Sequence, residues 1–124
     1  MGIVRFALVV ALLAAAGSAD AKPSNKWRVK CNGSADSAGE VVINVEPVGG
    51  APIEVVVAIP DGTSENSVAV LVRDALRLQL KDTHRVERDD WEDVIVKKRY
   101  GQPDFELILL DNTVEDMKIK LQRE

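Results

Sequence analysis

One stretch of this chain repeats its apolar residues with the period of a helix, while the apolar residues on either side, from Trp27 onward, repeat with the period of a strand. With Val68 at zero on a helical wheel, Leu71, Val72, Ala75, Leu76, Leu78 and Leu80 fall on one broad arc, and Arg73, Asp74, Arg77 and Lys81 fall opposite. Gln79 inside the arc and Val70 outside it are the misfits. Thr63 or Ser64 supplies an N-cap, and Glu65 places a carboxylate in the first turn, where it complements the helix dipole. The spacing predicts one amphipathic helix of about eighteen residues lying on a sheet.

The strand signals surround it. Trp27, Val29 and Cys31 alternate with Arg28 and Lys30, and Val41, Ile43 and Val45 share a face. Ile53, Val55, Val57 and Ile59 alternate with a reverse side that is apolar at Val56 and Ala58, so this strand is expected at the centre of a sheet. Short strands follow around Val86 and through Val94 and Val96. Phe105, Leu107 and Leu109 are backed by Ile108 and Leu110, again apolar on both sides. Met117, Ile119 and Leu121 alternate with Lys118, Lys120 and Gln122, and lysines of this kind blunt an exposed edge. The small polar run 32–39 reads as a flexible loop, and Pro and Gly punctuate 46–52 and 60–62.

These elements make an α+β domain: a largely antiparallel sheet of six to seven strands with one amphipathic helix packed across one face. A helix of that length spans roughly 27 Å and covers only part of so many strands. The two strands apolar on both sides therefore need a second cover. Either the sheet curls over its own second face or a second copy of the chain buries it, which leaves both a monomer and a homodimer open.

The first 21 residues stand apart. Arg5 supplies a positive charge, Phe6 to Ala16 is an unbroken apolar run, and Ala19-Asp20-Ala21 is an A-x-A cleavage pattern. The run is too short for the roughly twenty residues a membrane-spanning helix needs. Residues 1–21 are thus read as a signal peptide cleaved after Ala21, residues 22–124 as a single domain, and the compartment as secreted or periplasmic. Cleavage removes Arg5 and Asp20, one charge of each sign, so the net charge stays at −4. Mild acidity argues against nucleic acid and anionic lipid as partners, because phosphate binding needs a basic stripe that releases counterions. The single cysteine, Cys31, cannot form an internal disulfide. Its alternation with Trp27 and Val29 favours a buried free thiol over a disulfide between chains.

Residues that carry chemistry are few. His84, the one histidine, stands at a helix-to-strand junction, with no G-x-S-x-G elbow in the chain to partner it. One His and one Cys cannot make a zinc site without carboxylates, and no cofactor is expected. Asp89, Asp90, Glu92 and Asp93 are calcium candidates by oxygen count alone, although adjacent acids in a turn more often point apart into water. Trp91, in the middle of them, either folds back onto the sheet, the favoured reading, or offers an aromatic platform to a sugar or peptide. Lys97, Lys98, Arg99 and Tyr100 form a basic strand end that reads as a solvated face rather than a nucleic-acid patch, while still able to pair with an acidic partner surface. Asn32-Gly33-Ser34 is a glycosylation acceptor in form, relevant only in a eukaryotic host.

Ile53 to Leu80, a strand followed by Pro-Asp-Gly-Thr-Ser-Glu-Asn and an Ala/Val/Leu-rich helix, resembles the strand-turn-helix unit of some phage tail and sheath proteins. That resemblance implies a structural or adhesive role in a small secreted bacterial protein. The residues themselves favour a non-enzymatic binding or surface-interaction module, exposed as an antigen would be, meeting an unknown protein or glycan. The alternative is a small extracytoplasmic hydrolase working with carboxylates of the 87–93 turn, which needs two carboxyl groups facing each other across a cleft.

Overall fold

In the computed structural model, which describes residues 22–124, the alternating segments become seven antiparallel strands and the helical segment becomes one helix. In chain order these are β1 (Lys26–Asn32), β2 (Gly39–Pro47), β3 (Ile53–Ile59), α1 (Glu65–Leu80), β4 (His84–Asp89), β5 (Asp93–Lys98), β6 (Phe105–Asn112) and β7 (Lys118–Arg123). The signal-peptide reading of residues 1–21 lies outside the described residues. No helix among the described residues is long and apolar enough to cross a membrane.

The α+β class is as expected, but the strands divide into two sheets, β4-β5-β1-β7 and β3-β2-β6, rather than forming one. Their inner faces share one core. Trp27, Val29 and Cys31 of β1 with Val94 and Val96 of β5 belong to the same cluster as Val41, Ile43 and Val45 of β2 and Val55, Val57 and Ile59 of β3. The helix packs against β3, at the edge of the three-stranded sheet, and across β4, β5 and β1 of the four-stranded sheet. It thus covers part of that sheet's inner face and closes one side of the core, while β6 and β7 approach each other on the opposite side.

A wedge between two sheets needs a narrower stripe than a helix laid on a sheet. The buried positions of α1 are Val68, Ala69, Val72, Leu76 and Leu80, and Leu78, expected inward, is 72% exposed. The buried arc is centred near Val72, so Leu78 and Val70 fall outside it and Ala69 falls inside. Ser64 is the N-cap, its hydroxyl accepting from the Ser67 amide. Glu65 has a second task besides the dipole, because its carboxylate accepts from the Gly33 amide at 2.7 Å. That bond helps to dock the 32–39 segment, which is not free: Ala35 is buried, its amide donates to Thr63, and its carbonyl accepts from Gly62.

The strand expected at the centre, β3, is an edge. The reverse side of its sheet carries Val56 and Leu110, half exposed, beside Val42 and Ile108, and neither sheet curls over it among the described residues. Glu54, Glu46 and Glu106 stand on the same side of the sheet, next to that apolar stripe. A two-fold pairing through this face would set carboxylates against carboxylates. Leu110 is the extra residue of a β-bulge: Ile43 pairs with Leu109 and Val42 with Asp111. The bulge inverts the alternation, so Asp111 points outward. Asn112 then organises the next turn, donating to the Met117 carbonyl and accepting from the Val114 amide.

Candidate functional site

The β4–β5 hairpin separates charge by position. Asp89 pairs with Asp93 at its turn and His84 with Lys98 at its open end. At about 3.3 Å per residue the two ends lie roughly 16 Å apart. Trp91 and the 97–100 segment, the two interaction candidates of the sequence, therefore belong to two separate places.

At the turn, Asp93 is buried while Asp89 and Asp90 remain largely exposed, and all three gather around one cation. Arg28, from the outward side of β1, reaches them with one guanidinium: Nη1 lies 2.8 Å from Asp93 Oδ2, 3.1 Å from Asp89 Oδ2 and 3.9 Å from Asp90 Oδ2. Its Nε is 3.3 Å from Glu124 Oε2. The hydrogen bond to Asp93 is the main cause that holds the Arg28 pKa well above its ordinary value, against the opposing effect of burial. A protein cation thus stands among the carboxylates proposed as calcium ligands, and no group of three or more His, Cys, Asp or Glu among the described residues is arranged to hold a metal. Glu92 contributes its backbone carbonyl to the Cys31 amide. The signal for Arg28 was absent from periodicity. Alternation shows only that Arg28 faces outward, whereas its partners depend on the β1–β5 register.

Trp91 does not fold back. It is 68% exposed, at a backbone φ of 63°, with the Arg88 guanidinium 5.6 Å from its ring centroid. Left-handed backbone at a bulky residue costs roughly 1–2 kcal/mol. Asp90 shares the left-handed conformation, but Asp adopts it readily, so the strain falls on Trp91.

The open end of the hairpin is basic and concave. A depression of about 480 Å³ between the C-terminal end of α1 and β4 is lined by Arg77, Lys81, Arg85, Arg99, Glu87 and the buried His84. A second, of about 440 Å³, shares Arg85 and Arg99 and adds Asn25, Lys97, Lys98 and Tyr100. The sequence pointed to Lys97, Lys98, Arg99 and Tyr100. It gave no sign of Arg77, Lys81 and Arg85, which lie on the polar sides of α1 and β4 and join the site only once the helix wedges against that strand. Two of the arginines are anchored by Nε to backbone carbonyls, Arg77 to Val86 at 2.7 Å and Arg99 to Lys81 at 3.1 Å. Glu87 pairs with Arg85 at 3.1 Å and Asp104 with Lys98 at 2.8 Å. Among the described residues, Lys81, Lys97, Arg77 and Arg99 have no carboxylate partner. Tyr100 is fully exposed in a turn closed by the Gln102 amide on the Arg99 carbonyl, with Gly101 at the positive φ of 86° that this turn requires.

His84 forms part of the floor. Its Nδ1 is 2.7 Å from the Thr83 hydroxyl, its ring meets Phe105 edge-on at 4.5 Å, and its Nε2 is buried without a partner. Burial, and secondarily the charge of Arg99, lowers its pKa below the usual 6.5. The unfolded chain therefore binds a proton at His84 that the native state refuses. The contribution of this group to stability is complete above about pH 6.5 and is lost as pH falls from there toward the native pKa. Urea midpoints measured from pH 7.5 to 5.5 should fall more steeply for the parent protein than for H84Q; parallel curves would contradict this.

Cys31 is fully buried, and burial pushes its thiol up to about 12, so it is a packing residue in the native state. Comparison with protein-family models, with curated proteins and with solved structures finds no match to this chain.

Proposed function

We propose that this chain is an exported, non-enzymatic binding module, secreted or periplasmic after cleavage at Ala21, that holds an acidic segment of another protein on the basic open end of the β4–β5 hairpin. The observation that carries this reading is the convergence of Arg77, Lys81, Arg85, Lys97 and Arg99 around two adjoining depressions in a chain whose net charge is −4. Clustering cations against the overall charge creates a local positive field that steers an acidic partner to one place. Tyr100, exposed at the rim, adds a rigid amphipathic contact of the kind that anchors interfaces. The structural or adhesive role implied by the phage tail resemblance is compatible with such a contact module.

The hydrolase alternative draws less support. Of Glu87, Asp89, Asp90 and Asp93, only Glu87 lines either depression, and it is paired with Arg85. Asp89 and Asp93 share the Arg28 guanidinium instead of facing each other across a cleft.

Fluorescence anisotropy with a labelled peptide of alternating Asp and Glu tests the reading. R85E/R99E should weaken binding at least about tenfold, with the parent affinity falling as salt rises. Binding unchanged by R85E/R99E but abolished by W91A would move the contact to the other end of the hairpin. Preference for a neutral glycan over the peptide would replace the partner class.

A further inference from the structure

The first of the two depressions has a finer chemistry than a general positive field. A guanidinium offers two edges for bidentate hydrogen bonding, one formed by Nε with an Nη and one formed by the two Nη groups. In Arg77 and Arg99 the Nε is committed to a backbone carbonyl, of Val86 and of Lys81 respectively. Each side chain is thereby held by the fold with its Nη pair left over, and both line the same depression, together with Lys81. The Arg99 Nε covers the carbonyl of Lys81, the C-cap residue of α1. Glu87 is occupied by Arg85. The floor holds the one buried side-chain nitrogen without a hydrogen-bond partner among the described residues, His84 Nε2.

We propose that this depression is a subsite for a tetrahedral oxyanion, the terminal group of a phosphate or sulfate ester carried by the acidic partner. Two Nη pairs and an ammonium supply five donor groups, more than the two oxygens of a carboxylate use well and suited to the three terminal oxygens of a phosphate or sulfate. The depression, at about 480 Å³, is larger than such a group and opens beside the second one, which shares Arg85 and Arg99, so the ester continues toward Tyr100. The inference rests on the binding reading above and specifies the group that is bound.

The test is an NMR titration of the 15N-labelled protein, following the Nε–Hε signals of Arg77 and Arg99. The titrants are inorganic phosphate, sulfate and chloride at matched ionic strength, then a phosphoserine peptide and a sulfated disaccharide. Phosphate should give saturable shifts of both arginines that chloride does not reproduce. R77Q/R99Q should weaken phosphate binding about tenfold or more. K81Q should weaken it less and serves as the readout if the double variant does not fold. The tighter of the two esters identifies the source of the group. Equal, non-saturating shifts with chloride and phosphate would overturn the subsite. If phosphate fails while the Asp/Glu peptide still binds, the subsite falls and the binding module stands. If phosphate saturates while the peptide does not bind, the depression is a small-anion site and the protein-binding reading falls.

Discussion

R28A will lower the stability of the fold by about 3 kcal/mol, the lower end of what removing one partner of a buried ion pair costs. Arg28 sits on β1, an inner strand of the four-stranded sheet, and its single guanidinium joins Asp93, Asp89 and Asp90 at the β4–β5 turn to Glu124 near the C-terminus. Asp93 is only 5% exposed beneath Arg28, so without that side chain its carboxylate loses its cation while staying close to the other acids of the turn. The exposed members of the group contribute little, which keeps the effect below the upper end of the range. For a domain of about a hundred residues this corresponds to a fall in Tm of roughly 12–20 °C. R28K should fall between parent and R28A, since it restores charge without the fork. R28A/D93N should recover more than half of the loss, because most of it is the cost of the orphaned carboxylate. Urea unfolding followed by circular dichroism decides it: a loss under about 1 kcal/mol would make the group an ordinary surface network.

F105A will cost about 3–5 kcal/mol, the range for truncating a buried aromatic. Phe105 is fully buried at the start of β6, where three parts of the chain meet. Its amide and carbonyl bond Ser24 in both directions, at 3.0 and 2.9 Å, and the same carbonyl accepts from Trp27 Nε1 at 2.8 Å. Its ring packs edge-on against His84, so the cavity left by truncation opens beneath the basic depression. F105L, which fills most of the volume, should cost much less and keep the protein folded for a second measurement. With the ring replaced, the His84 pKa measured by NMR should rise toward 6.5, since the burial that lowers it is partly relieved. A His84 pKa unmoved in F105L would show that the aromatic contact does not set that environment.

The element order was legible in the sequence because each strand buries one side and therefore alternates, and because an N-cap at Thr63 or Ser64 followed by an apolar stripe marks a helix. What alternation cannot express is which strand lies beside which. β3, apolar at Val56 and Ala58 on its outer side, reads as central and is an edge, and Leu78 reads as core and is exposed because the helix fills a seam between sheets. The candidate site was half legible for the same reason. Lys97 to Tyr100 are contiguous and visible, whereas Arg77, Lys81 and Arg85 converge on them only through the packing of α1 against β4. The acidic turn was visible as composition, yet its meaning depends on Arg28, some sixty residues away in sequence and across the β1–β5 pairing.

The most direct test of the binding reading is an amide chemical-shift map of the protein on addition of the Asp/Glu peptide. Shifts should concentrate at Asn25, Arg85 and Lys97 to Tyr100, extend to Lys81 at the end of α1, and leave the Asp89 to Asp93 turn unmoved. Shifts centred on Trp91 and the acidic turn, or none that saturate, would contradict it.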